Sequence, residues 1–310
     1  MFGKNTVVDM INRSSANEAD RRSFLRAAGL AGLGAVGGAT LLGAGPLSAS
    51  ADPGNPSDGA ILNFALNLEY LEAEFYLHAY YGEGLTAQQT SGKGNLGGVT
   101  GGRKVAFKSK RIKTYAREIA LDERDHVEFL RSALGTAKVA RPKIDLKSSF
   151  TAAARAAGLI TSKQTFDPFA NENNFLLAAF IFEDVGVTAY KGAAPLIDNK
   201  TYLEAAAGIL AVEAYHAGIV RSSLYEKELF AAARKISAAR DSLDGPSDDD
   251  QGIRYRRNAN LVPTDGNGIA YSRSPANVLN IVYLTPKSTD RGGFFPNGVN
   301  GELRTSGANG

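Results

Sequence analysis

An all-α four-helix bundle is the fold class this sequence predicts, and three observations carry it. Four long stretches place apolar residues at three- and four-residue steps. Gly-, Pro- and Asp-rich breaks separate them. One pattern of acidic, aromatic and imidazole side chains occurs twice, once in each half of the chain. The 310 residues are 44% hydrophobic and 22% charged, enough for one packed domain with extensions and too apolar for a disordered chain. With no cysteine, disulfides, thiolate ligands and a cysteine nucleophile are all excluded. Histidine is confined to His78, His126 and His216.

The N-terminal segment is not part of the fold. "DRRSFLRAAG" sets Arg21 and Arg22 before Ser23, Phe24 and Leu25, and a weakly apolar Gly/Ala-rich stretch, 27–47, follows. "ASA" at 49–51 then offers the small residues a signal peptidase reads. Residues 1–51 resemble a twin-arginine export signal, which makes the export machinery a partner and the protein exported: periplasmic, cell-surface or secreted. The alternative is an uncleaved membrane anchor, against which the glycine content and Pro46 both speak. Without the signal the chain keeps 30 of its 35 basic and 29 of its 32 acidic residues, a formal charge of +1. The basic pI therefore gives no general argument for nucleic acid, and none is expected as a partner.

After the linker "DPGNPSDG", a helix is predicted over 60–81 with Ile61, Phe64, Ala65, Leu68, Leu71, Phe75 and Tyr76 on its apolar side. The Gly-rich segment 91–102 reads as loop, so the first connection is long. A second helix spans about 106–135 and stops at Gly135. A short one, 148–157, follows Pro142, a third long helix covers 172–192, and a fourth runs from 199 to about 240. The bundle thus occupies 52–245, and 246–310 is an irregular C-terminal extension packed on it. Within it only "SPANVLNIVYL" reads as helix, with Ser274 as N-cap and Pro275 at the first helical position. The run "RKVAFKSKRIKTYAR", 103–117, holds seven Lys/Arg without an acid and is read as a solvated helix face, since no aromatic platform for bases interleaves it.

The doubled pattern carries the chemistry. "LEYLEAEFY" has Glu69 with Tyr76 seven residues on, and "FEDVGVTAY" repeats this with Glu183 and Tyr190. The helix after each carries Glu-x-x-His, first Glu123 and His126, then Glu213 and His216. Residues three apart lie about 60° apart on a helix, so each such pair faces one way. Four inward glutamates and two histidines form a six-ligand set for two metal ions, and oxygen with imidazole donors suits iron or manganese. Four carboxylates balance two divalent cations, whereas clustered carboxylates in a dry core would cost several kcal/mol each, on the order of the penalty for unpaired buried charge. Glu72 also leans inward and could replace or supplement Glu69, which is preferred because its spacing to tyrosine repeats. Glu74, about 140° from Glu69, and the flanking Asp122, Asp125 and Glu128 are read as solvated. His78, about 180° round, is read as an ordinary packed or surface histidine. Arg221 is a candidate partner for an acid at the core edge.

The stretches "ALNLEYLEAEFY", "ERDHVEFLRSALG", "FEDVGVTAYKGA", "EAYHAGIVR" and "GGFFPNGVNGEL" resemble the ferritin-like family of di-iron and di-manganese carboxylate bundles, in the branch that includes desiccation-related proteins. The resemblance spans 58–302 and implies a ferritin-like four-helix bundle. By position it implies Glu69, Glu123, His126, Glu183, Glu213 and His216 as ligands, with Glu72, Tyr76 and Tyr190 behind them. Two readings follow. One is a di-metal oxidoreductase, ferroxidase-like or manganese-catalase-like, consuming O2 or H2O2. The other is a non-catalytic protective envelope protein linked to oxidative or desiccation stress. Iron storage ranks below both, because it needs a hollow shell; the oligomeric state is open, a homo-oligomer among the options. One expectation concerns the signal alone: changing Arg21 and Arg22 together to Lys should leave the protein in the cytoplasm, read by fractionation and blotting. Unimpaired export of that double variant would remove the twin-arginine assignment.

Overall fold

A computed structural model describes residues 55–309. The expected export signal, 1–51 with Arg21 and Arg22, lies outside the described residues. Helix α1 (Asp58–Tyr81) begins where the Ser57 hydroxyl accepts the Ala60 amide at 3.1 Å, and ends at Gly82, whose φ of 87° only glycine adopts freely. The connection that follows holds one turn of helix, α2 (Ala87–Thr90), and a short strand, β1 (Val99–Thr100). Helix α3 (Lys110–Leu134) presents one buried face and one charged face. A crossover then carries β2 (Ile144–Asp145) and α4 (Ser148–Ala156). Helix α5 (Glu172–Ala193) is capped by Asn171, whose side chain accepts the amides of Asn173 and Asn174, and α6 (Lys200–Glu226) is capped by Asn199 in the same way. Helix α7 (Phe230–Asp241), a hairpin of β3 (Arg254–Tyr255) with β4 (Asn258–Ala259), and α8 (Pro275–Tyr283) complete the fold.

Helix α1 packs chiefly on α3 and α5 on α6, while α1 also meets α5 and α3 meets α6. The fold is therefore the all-α bundle that the helical periodicity predicts. Helices α1 and α5 are buried on nearly every side, and α3 and α6 on one. This explains why α1 and α5 look apolar throughout except for a few acids and asparagines.

Two boundaries differ from the sequence reading. The second helix starts at Lys110, not near 106, because Ser109 caps it and the Glu172 carboxylate takes the Lys108 and Ser109 amides, both at 2.9 Å. Half of the basic run is therefore loop, although all seven of its Lys and Arg side chains are exposed. The helix expected over 199–240 is two. Glu228 adopts a left-handed φ of 57° and the Leu229 amide turns back to the Leu224 carbonyl at 3.0 Å, which lets α7 fold onto α5. No glycine or proline marks that turn; packing imposes it.

The long first connection is held down, not free. Arg131 of α3 donates to the Tyr70 hydroxyl, to the Ser91 carbonyl at 2.6 Å and to the Gln88 carbonyl at 2.8 Å. Strand β1 pairs in parallel with β2, Val99 opposite Ile144. The tail is tied down as firmly. Asn67 of α1 exchanges hydrogen bonds with the Asn300 backbone at 2.8 and 3.0 Å, and Phe294 and Phe295 are fully buried. Where the tail crosses α5 it passes over Gly192, and any Cβ there would overlap the Arg273 carbonyl. A helix-interior glycine costs about 1 kcal/mol, and this one makes room for the tail backbone.

The strongest tie between tail and bundle is a chain of buried ion pairs. Asp184 of α5 accepts from Arg221 of α6 at 2.7 Å and from Arg240 of α7 at 2.8 Å. Arg240 continues to Asp250 at 2.6 Å, Asp250 to Arg273 at 3.0 Å, and Arg273 to Asp244. All six side chains are buried, so three guanidiniums neutralise three carboxylates out of reach of water. Removing one partner of such a set strands the others, which costs about 3–5 kcal/mol, whereas an exposed pair is worth about 1 kcal/mol at most. Arg240→Ala should therefore lose stability in the former range in urea unfolding of the full chain. Arg103→Ala, which breaks only the exposed pair with Asp167, should stay near wild type.

Candidate metal centre

The helices deliver their polar residues to one place. Glu69 and Glu72 project from α1, Glu123 and His126 from α3, Glu183 from α5, and Glu213 and His216 from α6, and all seven are buried. Glu69, Glu123, His126 and Glu213 each offer a ligand atom within 4.8 Å of the others, as do Glu123, Glu183 and His216, and Glu72, Glu183 and Glu213. Glu123, Glu183 and Glu213 belong to two of these groups each, so their carboxylates link the other ligands. The ring centroids of His126 and His216 are 6.4 Å apart. Nδ1 of His126 lies 3.2 Å from Glu69 and 3.5 Å from Glu123, while Nδ1 of His216 lies 2.9 Å from Glu123 and 3.6 Å from Glu183.

The two tyrosines cross over. Tyr76 of α1 donates its hydroxyl to Glu183 of α5, and Tyr190 of α5 donates to Glu69 of α1. Each phenol therefore braces the carboxylate of the other half. The reason for the seven-residue spacing is geometric: two turns along antiparallel-packed neighbours bring each hydroxyl level with the opposite glutamate. Burial, then the adjoining carboxylates, raise both phenols well above their ordinary range, so both stay protonated donors.

Burial dominates the acids as well. It pushes Glu69 up to about 7 and Glu183 up to about 8 when only the protein's own groups are counted. Glu72 and Glu213 are raised well above the carboxylate range by burial first and neighbouring carboxylates second. Glu123 is the exception: burial opposes its charge, but the adjacent imidazoles of His126 and His216 hold it well below that range. His216, despite burial, is raised to about 10 by Asp122 and the glutamates. Both oxygens of Glu123, one each of Glu72, Glu183 and Glu213, and Nδ1 of His216 are buried without any hydrogen-bond partner. Such groups are rare in folded proteins because each forfeits its hydration for nothing. An oxygen-rich set with two inward imidazoles is what a hard or borderline cation takes, so the donors fit a metal.

Residues 57–226 match the ferritin-like domain family. The chain belongs to that family. The desiccation-related protein PCC13-62 of Craterostigma plantagineum is 30% identical over 266 residues, covering 79% of this chain and 84% of the relative. The ferritin-like catalase Nec2 of Nesocodon mauritianus is 28% identical over 269 residues, covering 80% and 85%.

In this ferritin-like domain several acids find partners that their helical angles do not show. Glu72, which leans inward as its angle implies, groups with Glu183 and Glu213 and not with Glu69. Asp122 is not simply solvated: its carboxylate lies 3.2 Å from Nε2 of His216. Accepting from that nitrogen leaves Nδ1 to face the cluster, the tautomer a metal needs. Glu74 is fully buried and paired with Arg141, because the long first connection covers the face of α1 that a bare helix would expose. His78 stays outside the cluster, with Nδ1 2.7 Å from the Glu74 carbonyl. Arg221 finds its acid in Asp184, deep in the core and not at its edge.

A pH dependence follows for the metal-free protein. Groups that hold protons more tightly folded than unfolded stabilise the fold at low pH, and the benefit is lost as pH rises through the folded value. For Glu69 and Glu183 the window runs from 4.5 to about 7 and about 8, and for His216 from 6.5 to about 10. Glu123, shifted the other way, acts only in strong acid. The melting temperature of chelated protein should therefore fall from about pH 5 to about pH 9, and a divalent cation, replacing those protons, should flatten the slope. A chelated protein that grows more stable over that range would contradict the electrostatics of the cluster.

Proposed function

We propose that this protein is an exported di-metal redox protein that consumes H2O2, or O2, at an iron or manganese pair held by Glu69, Glu123, His126, Glu183, Glu213 and His216. The observation that carries the reading is the set of buried, unpartnered oxygens and imidazole nitrogen facing one another between four helices. A bound pair of redox-active ions supplies two-electron chemistry, enough to turn two H2O2 into O2 and two H2O. The chain's own residues do the rest. Glu123 and Glu213 lie between the two halves and would tie both positions together. Tyr76 and Tyr190 fix the carboxylates of Glu183 and Glu69, and Asp122 fixes the ring of His216. A small cavity of about 10 Å³ beside Glu72, walled by Leu68, Leu71, Val185 and Phe294, holds no more than about one water. Similarity to a ferritin-like catalase supports peroxide as the substrate, and the resemblance of residues 1–51 to a twin-arginine signal supports action outside the cytoplasm.

Similarity to a desiccation-related protein favours a second reading, a protective protein without turnover on the same scaffold. Metal analysis and oxygen-electrode assays on protein from the native exported fraction separate the two. The redox reading expects about two equivalents of iron or manganese and peroxide consumption that tracks metal content. Glu213→Ala should lose both, because it also unbalances the cluster's charge; His216→Ala should retain some of each at high metal concentration; His78→Ala should change neither. Metal-loaded protein inert toward peroxide and oxygen would leave the protective reading.

A further inference from the structure

The Glu-to-Tyr and Glu-x-x-His positions repeat in both halves of the site, but α1 and α5 differ at a position beside them. Glu69 and Tyr76 of α1 answer to Glu183 and Tyr190 of α5, but three residues after the glutamate α1 has Glu72 and α5 has Gly186. The break is spatially complementary. A Cβ on Gly186 would overlap Oε2 of Glu213 and lie 3.6 Å from Oε1 of Glu72. The space that a side chain would take in the second half is thus occupied by the Glu213 carboxylate, with Glu72 in contact beside it.

Among the described residues Glu72 has only carboxylates for polar company. Its carboxylate oxygens come within 4.8 Å of those of Glu183 and Glu213, and Oε2 of all three is buried without a hydrogen-bond partner. On its other side lies the small cavity walled by Leu68, Leu71 and Phe294, where Glu72 is the one ionisable lining residue. Three carboxylates converge there, and among the described residues no Lys, Arg or tyrosine hydroxyl bonds to Glu72. By contrast, the group around Glu69 and His126 contains no second α1 carboxylate.

We infer that Glu72 is a metal-binding group of the position built from Glu183 and His216, so that the two cation positions are unequal. In sequence the six-residue set is a two-fold repeat, one glutamate of α1 or α5 followed by one Glu-x-x-His pair of α3 or α6; in space Glu213 approaches Glu69, Glu123 and His126 on one side and Glu72 and Glu183 on the other. Glu72 breaks that repeat by adding a fifth carboxylate to one side. Affinity for a hard cation rises with the number of charged oxygen ligands, so this position fills first. The inference rests on the di-metal reading above.

Calorimetric titration of chelated full-length protein with Mn(II) at neutral pH tests it. Wild type should take two equivalents in two separable steps. Glu72→Gln, nearly isosteric, should keep two equivalents but weaken the tighter step roughly tenfold or more, about 1.4 kcal/mol, bringing the two together. Circular dichroism of the metal-free variant should match wild type, since the change removes a buried acid without altering volume. In crystals of the Mn(II)-loaded protein, the anomalous map should put a Glu72 oxygen at coordination distance, about 2 Å, from the ion beside His216. Two equal sites in wild type, unequal steps that survive in Glu72→Gln, or a Glu72 carboxylate away from both ions would each overturn the inference. No Mn(II) or Fe(II) binding at all would overturn the di-metal reading first, and this inference with it.

Discussion

Negative charge buried without a matching cation governs this molecule. Glu69, Glu72, Glu123, Glu183 and Glu213 meet in a core where water cannot solvate them, and the protein supplies only two imidazoles against them. Desolvation on this scale leaves two remedies, protons or metal ions, and the raised affinities of Glu69, Glu72, Glu183 and Glu213 for protons display the first. The second-layer groups make sense as consequences. Tyr76, Tyr190 and Asp122 hold carboxylates and a ring in orientations those groups would not keep by themselves, and Gly186 gives up a side chain so that the Glu213 carboxylate can fit.

A second buried charge system follows the opposite rule. In the chain Arg221–Asp184–Arg240–Asp250–Arg273–Asp244 every acid faces a guanidinium, so it is neutral without help and its work is mechanical. The two systems meet on adjacent residues of α5, where Glu183 turns to the carboxylate cluster and Asp184 to the arginines. A helix that must present both cannot slide or rotate without disturbing one of them. The position of Glu183 in the cluster is thereby tied to the packing of the tail.

Most of the fold and the two Glu-x-x-His pairs were legible because helical periodicity is a local signal, and so was the Glu-to-Tyr repeat. What that repeat does was not legible, since each tyrosine serves the glutamate of the other half and only the packing of α1 on α5 shows it. Glu74 failed for a related reason: its angle on an isolated helix is outward, but Arg141 and the first connection cover it from far along the chain. Asp122 shares a helix with Glu123 yet serves His216 of α6, a contact 94 residues away. The turn at Glu228 and the arginine chain depend on tertiary contact, and glycine and proline, the residues that normally announce breaks, are absent from that turn.

The tail's grip also sets an order of assembly. Asp244, Asp250 and Arg273 are synthesised after all four long helices, yet they complete an ionic chain that begins at Asp184 in the middle of α5. Until they arrive, Arg221 and Arg240 share a single carboxylate in what must become a dry interior, and the groove beside Gly192 stays open. The segment through Arg273 is therefore a structural part of the bundle: without it Arg240 and Asp184 lose the partners that complete their charge balance.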